Sequence, residues 1–390
     1  MRYVFQLLLL LIAFHSIAQE RDTAGVDLFD ILIGTKKKEQ KQQYREEKKV
    51  HFALFPAAVN VPGGGRAVIT AVNAAFFTGN PQTTNLSNIY LIPYTNFGDR
   101  YGLYIRPNIW LPDNTLDLTG DYRIAHFPQS TWGLGGDSPQ WDESLIDSDY
   151  IRVYQNAVFR ISGFWFGGPG YALDYHYNIS ESSYSGTGHL ERYEDTPLTT
   201  AVSSGLAANL LFDSRKNAIN PIGGAYLLMN WRWNSTGLGS TFTNHALFID
   251  ARKYLLLSNV HDHILAFRSY YWTIITGDVP YLHLPATNWA PNFGIASRGF
   301  EIGRFRSNAM LYGEAEQRLP LSRNGLFGMV GFINVASASE YRTQQFTYWQ
   351  VGGGAGIRAK LNKFSNTNLS IDFGFSKDFW SIWINIGEMF

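Results

Sequence analysis

From Val50 to Phe390, apolar and polar residues alternate within segments of roughly ten residues, and polar or glycine-containing turns separate these segments. A period of two predicts β-strands that carry one apolar and one polar face. After residue 18, no stretch resembles the run of about 20 apolar residues that a membrane-spanning helix needs. The chain can therefore enter a membrane only with strands, which must close into a barrel to satisfy their backbone hydrogen bonds.

The segments begin near residues 50, 66, 86, 99, 114, 148, 167, 201, 222, 242, 261, 306, 323, 347, 366 and 379. They predict an all-β, transmembrane antiparallel β-barrel of about 16 strands over residues 50–390, an even number as in single-chain bacterial barrels. With a periplasmic N-terminus, the long connections 127–147, 181–200 and 276–305 all fall on the outer side. Asp213–Gly223 is then the one long periplasmic turn.

The polar faces of the last segments carry charged residues. Asp372 lies opposite the apolar set of Asn368–Ser376, and Arg358 and Lys360 lie opposite the apolar set of Gln350–Leu361. On a lipid-facing surface a mid-membrane cation costs roughly 2–4 kcal/mol. We therefore predict that these charges point into a wet lumen.

Composition excludes several classes of protein. Lys+Arg and Asp+Glu both number 32, so the chain lacks the positive field of a nucleic-acid binder. There is no cysteine, which excludes disulfides, thiolate metal sites and a lipidated N-terminus. Aromatic residues make up 15% of the chain and suit the two interfaces of a bilayer. A soluble, secreted β-sandwich rich in aromatic residues remains an alternative.

The first 49 residues differ from the rest. A basic residue, the apolar run Leu7–Phe14 and small residues at positions 16–18 predict a signal peptide over residues 1–18. Residues 19–49 form a charged periplasmic lead-in segment, which we expect to be solvated. Its amphipathic piece, Val26–Ile33, could instead be a helix that docks on the barrel or binds a periplasmic or lipoprotein partner.

A polar turn motif stands at the end of the eighth predicted segment. Asp213 and Arg215 are two residues apart and so lie on one strand face, while Asn217, Pro221 and Gly223 favour a turn. We read the Asp–Arg pair as a lumenal ion pair.

The long connection 276–305 contains the sequence Arg298-Gly299-Phe300. An arginine in such a loop can bind carboxylates through the fixed fork of its guanidinium group. Immediately downstream, Glu314, Glu316 and Arg318 share one strand face by alternation, and we assign that face to the lumen. Glu316 is the first choice as partner of Arg298.

The chain ends with a strand predicted over Ser381–Phe390. A terminal aromatic residue that follows alternating apolar residues is an assembly signal read by strand addition, and here it comprises Gly387 and Phe390. Glu388 departs from the alternation at the end of this strand.

Together these four motifs resemble the barrel of the outer-membrane assembly superfamily that includes BamA and TamA, the bacterial surface antigen family. Residues 56–77 and 132–136 also look like this family, so the similarity covers nearly all of 50–390. The resemblance implies that the extracellular loop with Arg298 folds back into the lumen and locks against the inner wall. It implies a cell outer-membrane location in a Gram-negative-type cell, with membrane lipids and the barrel-assembly machinery as partners.

Two features depart from the family. Residues 19–49 are too few for even one of its periplasmic (POTRA) repeat domains, since compact domains seldom run below about 50 residues. Asn334 stands where the family usually has an aspartate, so it cannot give Arg298 a second charged partner. Both features weaken the expectation of an autonomous insertase.

The expected function is a scaffold or accessory in outer-membrane protein or lipid assembly or translocation, with a weak seam between Val50–Val59 and the last strand that opens laterally. A passive pore for small solutes is the alternative. We find no catalytic motif, and we expect neither enzymatic activity nor a cofactor. His261-Asp262-His263 could bind a metal ion, but we interpret it as a solvated turn.

Overall fold

The computed structural model describes residues 25–33, 50–61, 65–183, 188–194, 197–258, 263–289 and 297–390. The strands are β1 Val50–Val61, β2 Gly65–Phe76, β3 Ser87–Thr95, β4 Tyr101–Trp110, β5 Leu116–His126, β6 Gln129–Thr131, β7 Ser144–Ser162, β8 Trp165–Ser183, β9 Thr200–Asp213, β10 Gly224–Asn234, β11 Asn244–Ser258, β12 His263–Gly277, β13 Ala309–Pro320, β14 Phe327–Ala338, β15 Gln350–Asn362, β16 Thr367–Ser376 and β17 Trp380–Ile386. The helices are α1 Leu28–Ile33 and α2 His189–Tyr193, with 3-10 turns at Pro112–Asn114, Thr236–Leu238 and Tyr281–His283.

Each strand of the wall pairs antiparallel with the next one along the chain, except that β5 pairs with β7. The short β6 extends the wall beside β7. The prediction of a sixteen-stranded antiparallel barrel is confirmed, and every wall strand begins within about four residues of its predicted start. The pattern missed β6 because three residues are too few to show an alternation.

The two faces of the wall differ as predicted. On β16, Phe373 and Phe375 are about half exposed on the outside, whereas the side chain of Asp372 is fully buried inside. On β15, Ile357 is exposed and its neighbour Arg358 is buried. Apolar rings outside and charges inside are the arrangement that a barrel surrounded by lipid requires.

One rim of the barrel, here called the terminal rim, carries Val50 and the last residues of the chain. The opposite rim, here called the loop rim, carries the described parts of the long connections 127–143, 184–199 and 278–308. The described residues of the connection 278–308 fold into the barrel, as expected. Its Trp289, Phe300 and Phe305 join a buried aromatic cluster with wall residues such as Tyr270 and Tyr312. The predicted wet lumen is therefore wrong for this half, because aromatic rings from the loop fill it.

The barrel is not fully closed by hydrogen bonds. Among the described strands, β1 and β17 lie beside each other without a paired register. Ile386 belongs to the outward, apolar face of β17 and is nevertheless only 1% exposed, because it packs in one cluster with Ala53 and Tyr90. The registers place these two residues on the same inward face as the buried Asn73. The end of β17 therefore lies inside the wall formed by β1–β3.

Part of the lead-in segment is bound to the terminal rim. The main-chain N–H of Val26 donates to the Asn324 oxygen at 3.0 Å, and the Asp27 carboxylate accepts from the Lys363 N–H at 3.0 Å. Leu28 of α1 packs against the cluster that contains Ile386. The prediction of a solvated segment is therefore wrong for residues 25–33, while residues 1–24 and 34–49 lie outside the described residues. No helix in the described ranges is long and apolar enough to cross a bilayer.

Candidate functional site

The loop that carries Arg298 lies directly against β16. Gly299 has φ +85°, and a Cβ atom there would lie 2.7 Å from the main-chain N and O atoms of Phe375. Only glycine combines this left-handed conformation with such a close approach of two main chains. The adjacent Phe300 ring is 2% exposed and fixes the loop in the aromatic cluster.

The Arg298 guanidinium is completely buried and binds three carboxylates from the inner wall. It donates to Glu316 at 2.5 Å and to Asp372 at 2.7 Å, and it also donates to Glu314. Its Cζ atom lies 3.6 Å from the centroid of the Phe332 ring. The structure thus places the predicted partner Glu316 in contact with Arg298, together with two further acids.

This contact is the centre of a larger network. Arg318 donates to Glu316 at 2.7 Å, while Arg358 donates to Asp372 at 2.5 Å and to Glu388 at 2.7 Å. Charges that are buried without such partners cost several kcal/mol each. The network therefore ties the loop to β13, β15, β16 and the last residues of the chain.

Asn334 has a role that the sequence did not suggest. Its Nδ2 donates to the main-chain oxygen of Arg298 at 2.9 Å and to Glu314 at 3.1 Å. Asn334 itself gives Arg298 no charged partner, as expected, but Glu314 and Asp372 supply further carboxylates beside Glu316. Alternation had assigned Asp372 to the lumen, but the sequence could not show that β16 brings it to a loop 74 residues earlier.

The Asp213–Gly223 turn is held by local contacts. Arg215 donates to both carboxylate oxygens of Asp213, at 2.9 and 2.7 Å, and lies over the Tyr226 ring. Asn217 accepts from the N–H of Ile219 at 2.8 Å, which bends the turn. The predicted ion pair and turn are therefore present.

The same turn crosses the terminal rim. The Asn217 amide donates to the Ser365 oxygen at 2.9 Å, between β15 and β16. The Pro221 oxygen accepts from Arg318 at 3.2 Å. By contrast, a side chain built at Gly223 would meet nothing within 4 Å. The turn thus closes part of the rim.

The last residues turn inward. The prediction that the final strand runs through Phe390 is wrong, because β17 ends at Ile386 and Gly387 adopts φ +97°. The Phe390 ring is 4% exposed and packs in a cluster with Tyr254. Arg318 donates to the main-chain oxygen of Phe390 at 2.9 Å. The two residues of the proposed assembly signal therefore occupy the barrel interior in the folded state.

The fold of the sixteen-stranded barrel is similar to that of solved structures. BamA from Haemophilus ducreyi lacking POTRA domains 1–3 matches with a TM-score of 0.52 and 11% identity, over 87% of this chain and 69% of that chain. The chain has the barrel fold of BamA and CdiB.

CdiB from Acinetobacter baumannii matches with a TM-score of 0.50 and 14% identity, and CdiB from Escherichia coli with 0.54 and 11%. Each match covers 87% of this chain but only 60% and 62% of the respective CdiB chains. At these identities the similarity establishes the fold alone. No protein-family model matches the chain, and no curated protein matches it.

The remaining candidate from the sequence lies between β11 and β12. Of His261, Asp262 and His263, only His263 is among the described residues, and its ring lies 2.7 Å from the Gln317 amide nitrogen. Within the described ranges no three histidine or acidic side chains are grouped to hold a metal ion.

Proposed function

We propose that this chain is an outer-membrane barrel that serves as a scaffold or accessory in protein or lipid assembly or translocation, by opening laterally between β1 and β17. The observation that carries the proposal is the seam, where the described strands have no paired register and overlap through Ile386 and Ala53. The barrel fold of BamA and CdiB and the resemblance of the motifs to the assembly superfamily support it.

The seam is weak because apolar packing replaces a hydrogen-bonded ladder. Opening a strand pair inside lipid exposes main-chain N–H and C=O groups, each at a cost of several kcal/mol. At this seam the described strands have no paired register in the closed state, so opening exposes few additional main-chain groups. Separation of β1 from β17 then requires mainly the loss of the small cluster around Ile386, and lipid next to the gap is expected to thin.

The ion-pair network has a complementary role in this proposal. It fixes the loop, β13, β15 and β16 to the last residues through Arg298, Arg318 and Arg358. The half of the barrel next to β17 therefore moves as a rigid unit. Motion concentrates at the seam, where such bonds are lacking among the described residues.

The occupied interior disfavours the alternative of a passive pore. The loop fills the half near the loop rim, while the 214–223 turn and the last residues fill much of the terminal rim. We expect purified protein in planar bilayers to give a silent or flickering record. A large, steady conductance would favour the pore.

The membrane location also belongs to the proposal. We expect sodium carbonate to leave the protein in the membrane fraction, and detergent to release a band whose gel mobility changes on heating. Release by carbonate alone would support the soluble alternative. The docked segment 25–33 then marks where a periplasmic or lipoprotein partner would bind.

A disulfide across the seam tests lateral opening. The chain has no native cysteine, so only the two introduced cysteines can form a disulfide. Ala53→Cys with Ile386→Cys joins the two edges. The matched control, Leu369→Cys with Ile386→Cys, joins β16 to β17, where these residues are direct partners. The measurement is the folding rate of a small outer-membrane barrel diluted from urea into dioleoyl phosphatidylcholine vesicles that contain each protein.

We expect reduced protein and the control disulfide to accelerate folding of the added barrel, and the seam disulfide to remove the acceleration. Addition of a reductant should restore it. If the seam-locked protein is as active as the reduced protein, lateral opening is not the mechanism.

A further inference from the structure

A cavity lies inside the barrel, between the wall of β3–β10 and the inward-turned last residues. Its empty space, including its opening, is about 1060 Å³. The wall contributes Asn88, Asn108, Thr119 and Asn156, and the last residues contribute Phe390. It borders the ion-pair network around Arg298 at Glu388.

The amide side chains are arranged by strand register. Asn88 is the direct partner of Asn108, Asn108 of Thr119, and Thr119 of Asn156. These residues therefore form a continuous polar belt on the inner face of β3, β4, β5 and β7. A neutral belt of amides offers both donors and acceptors without charge.

The belt continues across β8 because glycine stands there. The Asn209 amide donates to Asn156 at 3.0 Å, over the top of Gly170. A Cβ atom at Gly170 would lie 2.1 Å from Oδ1 of Asn156 and would break this contact. Asn209 in turn accepts from Asn230 at 2.7 Å.

Three acceptors along this cavity have no hydrogen-bond partner among the described residues. They are Oδ1 of Asn88, Oδ1 of Asn108 and Oδ1 of Asp117. The Asn88 and Asp117 residues are only 2% and 1% exposed, so bulk water does not solvate them freely. Buried acceptors without donors are rare and call for a bound group that donates.

The other residues that line the cavity indicate which kind of ligand could donate these hydrogen bonds. Arg215 and Arg252, which also line the cavity, each make two bonds to an aspartate of their own, Asp213 and Asp250. Aromatic rings of Tyr90, Tyr226 and Phe390 supply apolar surface. The cavity therefore combines apolar ring faces, two arginines that are paired with aspartates, and the three acceptors without a donor.

We propose that this cavity binds a hydroxyl-rich ligand of the neutral saccharide class. Sugar hydroxyls donate to the three acceptors and accept from the amide N–H groups of the belt, while the C–H faces of the sugar pack on the aromatic rings. An extended peptide fits less well, because its N–H donors point in fixed directions, whereas each sugar hydroxyl can rotate to donate or to accept. The site goes beyond the proposed assembly role, and one of its aromatic residues, Tyr90, also belongs to the cluster at the seam.

Calorimetric titration of the full-length protein in detergent, with chitobiose and with maltotriose as probes, tests this site. We expect saturable binding of at least one sugar. Asn88→Leu and Asn108→Leu keep the shape of the side chain and remove the acceptor, so each should weaken binding about tenfold or more. Asn308→Leu, the same change at a position near the loop rim, should leave binding unaltered.

Thermal unfolding of the same variants separates a ligand site from a water-filled space. Replacement of an acceptor that has no partner in the free protein should leave the melting temperature unchanged or raise it. The proposal is overturned if neither sugar gives saturable binding, or if an unstructured ten-residue peptide binds in their place. It is also overturned if both leucine variants bind sugar like the parent protein.

Discussion

Arg318 on β13 donates to the main-chain oxygen of Phe390 at 2.9 Å, so the last residue of the chain is bound to the inner face of the wall. The same guanidinium holds Glu316 at 2.7 Å and Pro221 at 3.2 Å. One side chain therefore joins the wall, the 214–223 turn and the inward-turned tail. Glu316 also binds Arg298, which connects this joint to the long loop.

Removal of the Arg298 guanidinium should destabilise the barrel strongly. Arg298→Ala leaves Glu314, Glu316 and Asp372 buried without their shared cation, and breaking a buried ion pair on one side costs about 3–5 kcal/mol. The measurement is the urea midpoint at which the heat-modifiable gel band is lost. Arg342→Ala, at an exposed arginine, is the control and should leave the midpoint unchanged. A midpoint for Arg298→Ala equal to that of the parent would show that the network does not hold the fold.

Asn334→Asp should destabilise the protein, although aspartate is the residue usual in the resembling family. The Asn334 amide donates to Glu314 and to the main-chain oxygen of Arg298, and a carboxylate cannot donate to either. We expect a loss of roughly 1–3 kcal/mol in the free energy of unfolding. Adding Glu314→Gln should recover most of it, because the new amide supplies a donor and removes the like charge. If the double variant is no more stable than Asn334→Asp alone, the hydrogen bond between Asn334 and Glu314 does not stabilise the protein.

Gly387→Ala should destabilise the inward turn of the last residues and lower the urea midpoint. Gly387 has φ +97°, which costs a residue with a Cβ atom about 1–2 kcal/mol. That Cβ atom would also lie 2.9 Å from the Tyr90 hydroxyl and 3.1 Å from the Ile219 oxygen. Gly223→Ala, where a Cβ atom meets open space, is the matched control. Equal urea midpoints for the two variants would contradict the inward turn.

The long loop should be less stable at neutral pH than at acidic pH. Burial, with a smaller effect from Glu143, raises the pKa of Glu301 from 4.5 to about 7. Between these values the folded state binds more protons than the unfolded state, so the free energy of unfolding falls as pH rises. Glu301→Gln should reduce the difference between urea midpoints at about pH 5 and about pH 8. Glu191→Gln, at an exposed position of α2, should not reduce it.

Alternation alone predicted the barrel wall. The starts of the sixteen wall strands and the inward direction of Asp372 and Arg358 follow from a period of two, because each strand has an apolar outer face and a polar inner face. These are local properties, because the alternation is visible within each segment of about ten residues. The Asp213–Arg215 pair was predictable for the same reason, since its partners are two residues apart.

Contacts between distant strands were decided only by the tertiary structure. The contacts of Arg298 with Asp372 and of Arg318 with Phe390 could not be predicted from the sequence pattern. They depend on how the loop and the last residues enter the closed barrel. The inward turn depends on the single backbone conformation of Gly387. The acceptors of the cavity, such as Asn88, look like ordinary polar alternation until the wall closes around them. Period and turn chemistry thus determine the wall, while closure determines what the wall encloses.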